Sequence, residues 1–97
     1  MDTLLVLNVN PQFEEDLIDY LLQAEGVSGF TAQTVYGHGS AGQMTLAEQV
    51  SGRRKRFQVS VMLPQDAVAG VLDGLAAQVG RDIVWWQHAV TASGRIG

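Results

Sequence analysis

Two sets of side chains in this sequence are suited to holding a ligand. Arg53, Arg54, Lys55 and Arg56 are consecutive and carry four of the six positive charges, against ten carboxylates over the whole chain. Such a run concentrates the attraction for anions in one short segment, and arginine forks match phosphate or carboxylate oxygens two at a time. His38 and His88 are the two histidines, and neutral imidazole is a common ligand for zinc, copper and nickel. Two nitrogens do not fill a four-coordinate site, and no H-x-x-H or paired-carboxylate spacing supplies the remainder. A metal on His38 and His88 therefore needs copies of the chain brought together across an interface. His88 stands near Trp85 and Trp86 in a strand-like run, where a histidine commonly satisfies a local hydrogen bond. His38 lies between Gly37 and Gly39, whose freedom allows contact with a ligand.

Other chemistry is poorly supplied. Catalysis needs a nucleophile, a base and an orienting group within reach, or an acid pair, and no Ser/His/Asp or glycine-loop pattern stands out. With no cysteine there is neither a thiol nucleophile nor a thiolate metal site. An enzyme is not expected. The net charge of -4 argues against general binding to nucleic acid, although a basic loop on an acidic body suits an anionic partner. No apolar run approaches the ~20 residues of a membrane span, and no basic leader precedes Leu4. A cytoplasmic protein without membrane insertion is expected.

Residues 1–97 form one domain in this reading. Thr3 to Val9 is a β run with Leu4 and Val6 on one face and Leu5, Leu7 and Val9 on the other, so it belongs in the middle of a sheet. Asn10-Pro11 supplies a cap and a first helical residue, Glu14 to Asp16 suit the positive end of the helix dipole, and Phe13, Leu17, Ile18, Leu21 and Leu22 recur at helical spacing up to Gly26. Gly29 to Tyr36 reads as a second strand and Arg56 to Leu63 as a third, with Phe57, Val59, Val61 and Leu63 alternating against Gln58, Ser60 and Met62. Val68, Val71, Leu72, Leu75 and Val79 predict a second helix closed by Gly80, and Asp82 to Ala89 a fourth strand whose Trp85 and Trp86 face opposite ways. The order βαββαβ matches the α+β ferredoxin-like split βαβ fold, an antiparallel sheet with both helices on one face. The other face is left bare, and hiding its apolar side chains favours assembly by several kcal/mol at ~25 cal/mol per Å2.

Between strands two and three the chain spends residues 38–55 where a hairpin usually needs about two to five. Long loops in small domains tend to carry function. Thr45-Leu46-Ala47-Glu48 has a capping-box pattern that starts a short helical turn ended by Gly52. Neighbouring cations on an alternating strand point to opposite faces, so the four basic residues do not meet one small ligand; docking on an acidic partner is favoured over a compact anion site.

Gly26 to Thr31, the stretch Val35-Tyr36-Gly37-His38-Gly39, the long loop and the close at Val90 to Gly94 resemble the PII-like signalling proteins. The run Leu46 to Arg54 is similar to an uncharacterised proteobacterial PII-like family often encoded beside heavy-metal efflux pumps of the resistance-nodulation-division type. The resemblance implies a homotrimer with its sheets inward, three exposed loops and ligand clefts between subunits. It also implies a regulatory protein that senses a small ligand or a divalent transition metal and docks through its long loop on a partner such as an efflux component. Gly37 and Gly39 match the glycines of the PII loop base, and Arg95 lies near where the C-terminal arginines are expected; with His38, Arg54 and Arg56, chosen for their side-chain chemistry, they make up the expected ligand site, and His38 and His88 are the expected metal ligands. The glycine-rich phosphate loop of nucleotide-binding members is absent after helix two, and Thr91 and Ser93 stand where their arginines are expected. An adenine-nucleotide sensor and a ligand-free assembly protein are the two alternatives.

Overall fold

The computed structural model describes residues 1–38 and 54–97. Its elements run β1 (Asp2–Val9), a 3-10 turn (Pro11–Phe13), α1 (Glu14–Gln23), β2 (Phe30–Gly37), β3 (Arg54–Pro64), a second 3-10 turn (Gln65–Ala67), α2 (Val68–Asp73), α3 (Leu75–Gln78) and β4 (Val84–Ala89). The strands form one sheet in the order β2-β3-β1-β4, antiparallel at every pairing. That is the ferredoxin-like arrangement expected from the element order, with β1 and β3 central.

The two central strands sort their side chains as their alternation requires. Leu5, Leu7 and Val9 lie opposite Val61, Val59 and Phe57, and with Leu63 these meet Leu17 and Leu21 of α1 and Val68, Val71, Leu75 and Val79 of the second helical region in one buried cluster. The opposite face carries Leu4, Val6 and Asn8 of β1 beside Met62, Ser60 and Gln58 of β3 and His88, Trp86 and Val84 of β4. Val6 is almost buried between its strand neighbours, but Trp86 stays 37% exposed, and Met62 and Val84 are exposed as well. No helix among the described residues covers this face.

Local chemistry sets the helix ends. The Asn10 side-chain oxygen accepts from the Gln12 N–H at 3.0 Å, and Pro11 follows, so the capped entry forms, as a 3-10 turn before the α-helix begins at Glu14. Gly26 has φ 89, the left-handed conformation that a glycine adopts cheaply after a helix.

The second helix departs from its continuous apolar spacing: it breaks at Gly74. The Tyr20 hydroxyl donates to the Val71 carbonyl at 2.6 Å, and that carbonyl is the acceptor a continuous helix would offer the N–H of Leu75. Tyr20 also fills the space above Gly74, where a Cβ would stand 2.5 Å from its hydroxyl. The fourth strand starts two residues later than its apolar run suggests, because Asp82 takes φ 63 and leaves the extended region. The helical turn expected within 45–52 lies outside the described residues.

Gly74→Ala brings two effects into opposition. Alanine gains up to about 1 kcal/mol of helix propensity, whereas forcing a methyl against a hydroxyl anchored by its own hydrogen bond costs about 1–3 kcal/mol. The variant is expected to be net less stable in urea denaturation; a stabilised variant would show that Tyr20 yields freely.

Candidate anion site at the loop base

The strand pairing brings Gly37, the last residue of β2, opposite Arg54, the first of β3, so both stems of the long loop leave the sheet at one level. His38 follows there, exposed; Gly39 and Arg53 lie outside the described residues. Alternation puts Arg54 and Arg56 on the face away from the helices and Lys55 on the other, so two of the four cations do share a surface.

Arg56 is only 4% exposed, which for a guanidinium requires nearly complete pairing. Its Nε donates to the Asn8 side-chain oxygen at 2.6 Å, one Nη to the Asn8 carbonyl at 2.8 Å and the Asp82 carbonyl at 2.9 Å, and the other Nη to the Asp82 carboxylate at 3.3 Å. It thereby clamps β3 to β1 and to the entry of β4. Arg54 forms an ion pair with the same Asp82 oxygen. Asp82 is 48% exposed as a side chain, so one carboxylate oxygen at the surface joins two arginines that are themselves largely covered.

The hydrogen bond from Arg54 is the largest influence on the Asp82 carboxyl; with the charges of both guanidiniums it outweighs desolvation and holds the pKa below the ordinary carboxylate value. Beside this junction runs a groove of about 240 Å3, with Leu72, Leu75 and Ile83 for its floor and Gly80, Arg81 and Trp85 among its walls. Trp85 is on the helix side of the sheet, opposite Leu7, and Trp86 on the other, opposite Val6. Trp85 reaches the rim of the helix layer rather than its core and remains half exposed.

The other candidates are dispersed. His38 follows β2 at one edge of the sheet, whereas His88 lies on β4 at the other, opposite Leu4. Three strand spacings and some nine residues of strand separate them, on the order of 30 Å, so one chain does not bring them to a common ion. His88 Nε2 accepts from the Trp86 indole N–H at 3.1 Å, the local hydrogen bond that its strand position suggested. Among the described residues no group of three or more His, Asp or Glu could hold a metal. Arg95 is exposed in the tail beyond β4. A larger hollow of about 520 Å3 lies between α1 and α2, with Asp16, Asp19 and Glu25 in its lining and no arginine or lysine among the described residues there.

Sequence reading missed Asn8 and Asp82. Asp82 sat in what reads as the first residue of a strand, and nothing local pairs it with arginines 26 and 28 positions earlier. Asn8 did leave a signal: it interrupts the apolar face begun by Leu4 and Val6 with a side chain able to accept from a buried donor.

Two outcomes follow from the clamp. Arg56→Met is expected to cost about 2–3 kcal/mol, because it leaves the Asn8 oxygens and the Asp82 carbonyl without their donor, and Arg54→Met about 1 kcal/mol; equal losses in chemical denaturation would refute this ordering. Asp82 has a depressed folded pKa, so its contribution is fully present above the unfolded carboxylate pKa of ~3.9 and is lost as pH falls through the folded value. The stability gap between wild type and Asp82→Asn should be constant from about pH 5 to 7 and close below about pH 4; a gap independent of pH down to 2 would contradict the ion pairing.

The family model for a protein of unknown function designated DUF3240 matches residues 1–97. A search of curated proteins returned no match. Among solved structures, the chain is similar to a DUF3240 family protein from Shewanella baltica OS155, with 23% identity, a TM-score of 0.81 and coverage of 99% of this chain and 97% of that one. It is also similar to CPII, a nitrogen regulatory PII-like protein from Thiomonas intermedia K12 bound to ADP, AMP and bicarbonate, with 20% identity, a TM-score of 0.70 and coverage of 98% and 96%. At these identities the likeness shows the fold, which is that of the PII-like proteins. With its entire length matched by the family model, the chain belongs to the DUF3240 family.

Proposed function

We propose that this protein is a PII-like regulatory module of the cytoplasm, a homotrimer that senses a small ligand at the base of its long loop and reports it to a protein partner through that loop. The observation that carries this reading is the convergence of the two loop stems, at Gly37 and Arg54, on the Arg54–Asp82–Arg56 junction. A ligand bound there touches the residues from which the loop departs, and a ligand that prefers one loop arrangement shifts the population the partner meets. The exposed Trp86, Met62 and Val84 on the uncovered sheet face support assembly of copies with their sheets inward, since such a patch in water favours association.

Within this reading Gly37, His38, Gly39, Arg54, Arg56 and Arg95 are the candidate ligand contacts. Arg56 acts from its buried anchorage, and Arg95 through its tail. CPII is bound to ADP, AMP and bicarbonate, which makes these three the first ligands to try. A second reading, an adenine-nucleotide sensor, draws support from the groove walled by Trp85 and Arg81, where an aromatic face could stack a base. A divalent metal would reach His38 or His88 only with ligands from neighbouring copies. A component of a heavy-metal efflux system is the partner favoured by the resemblance of the run Leu46 to Arg54.

Light scattering at micromolar concentration should give the mass of a trimer, and Trp86→Glu should lower it to that of one chain; a monomeric wild type would sink the assembly. A thermal-shift screen over ADP, AMP, bicarbonate and divalent metals should raise the melting temperature with one of them by mass action, and any metal response should vanish in His38→Ala or His88→Ala. Partner recovery in a pulldown should fall when residues 40–53 are deleted, and equal recovery would exclude the loop as the docking element.

A further inference from the structure

We infer that Asp82 is an internal competitor for the ligand: its carboxylate holds, from within the chain, the place between Arg54 and Arg56 that an external oxyanion takes, so that binding there exchanges one anion for another. This rests on the reading of the loop base as the ligand site and adds its regulation.

The junction has the parts such an exchange needs. Both guanidiniums meet a single oxygen, Oδ2 of Asp82. Arg56 is held independently of that oxygen, by the Asn8 side chain and by the carbonyls of Asn8 and Asp82, so its remaining Nη stays in position when the carboxylate leaves. The carboxylate is the exposed member of the group at 48%, against 16% for Arg54 and 4% for Arg56, and rotation about its side-chain bonds carries it to water without moving the backbone clamp. The vacated place, bordered by two largely covered guanidiniums, suits a replacement of the same chemistry, since arginine forks match paired oxygens: a small oxyanion, whether bicarbonate, phosphate or a carboxylate. The exchange also has a mechanical result. Arg54 is the first residue of β3, and its pair with Asp82 ties the returning stem of the loop to the entry of β4; an external anion on Arg54 removes that tie.

Asp82→Asn tests this, because asparagine keeps the side-chain shape and tolerates positive φ, and Asp82→Gly serves as a second variant that meets the same backbone demand. Calorimetric titrations with inorganic phosphate, bicarbonate and acetate, at constant ionic strength against chloride, should show the best of the three binding Asp82→Asn at least about tenfold more tightly than wild type, the worth of one charge-assisted hydrogen bond. The same anion should raise the melting temperature of the variant more than that of wild type. Asp73→Asn, which removes one charge from α2, should leave the affinity unchanged. If wild type binds an oxyanion and the Asp82 variants bind it no more tightly, or if Asp73→Asn gains as much, the competition is overturned while the loop-base site stands. If neither wild type nor variant binds any of the three, the competition is overturned, and the loop-base reading rests on the nucleotide and metal arms of the thermal-shift screen. Should the variants fold only in the presence of phosphate, the exchange is supported; variants that stay unfolded with it overturn the inference.

Discussion

A buried guanidinium with its hydrogen bonds distributed over three segments fixes the loop-bearing end of this molecule. Arg56 reaches back to Asn8 on β1 and across to Asp82 before β4, so the outer strand on one side and the loop-bearing strand on the other are referred to the central strand through one side chain. The strand ladders alone would align these segments by register. The arginine adds a charge requirement: the returning stem of the loop begins beside a nearly buried cation that Asn8 and Asp82 answer with oxygens. The proposed anion site therefore uses the same atoms that anchor β3 to its neighbours.

The remainder of the structure keeps that end in place. The apolar faces of β1 and β3 meet both helical regions in a single core, which leaves the second face of the sheet to other uses. Tyr20 joins the helices directly by donating to the Val71 carbonyl, and the second helical region packs as two short pieces. The break leaves α3 leading through Gly80 and Arg81 into Asp82, and thus delivers the carboxylate to the arginines.

Much of the architecture was legible because hydrophobic periodicity is read off directly. The two-sided pattern of Leu4 to Val9 placed β1 centrally, and the strict alternation from Phe57 to Leu63 gave the core face of β3 residue by residue. The helix break was not legible, since Val71 and Leu75 keep helical spacing across it and the interrupting hydroxyl comes from residue 20. Nor was the site. The run Arg53 to Arg56 announced an anion-seeking segment, but pairing it with Asp82 requires knowing that β4 lies beside β1 and not beside β3, a fact of topology rather than of local spacing. His38 and His88, alike as residue types, proved to be at opposite edges for the same reason.

The left-handed backbone at Asp82 narrows what evolution can place there. Glycine, asparagine and aspartate occupy that conformation at low cost, and of the three only aspartate carries a charge. A descendant that drifts to either of the others retains the chain path and forfeits the carboxylate that two arginines share.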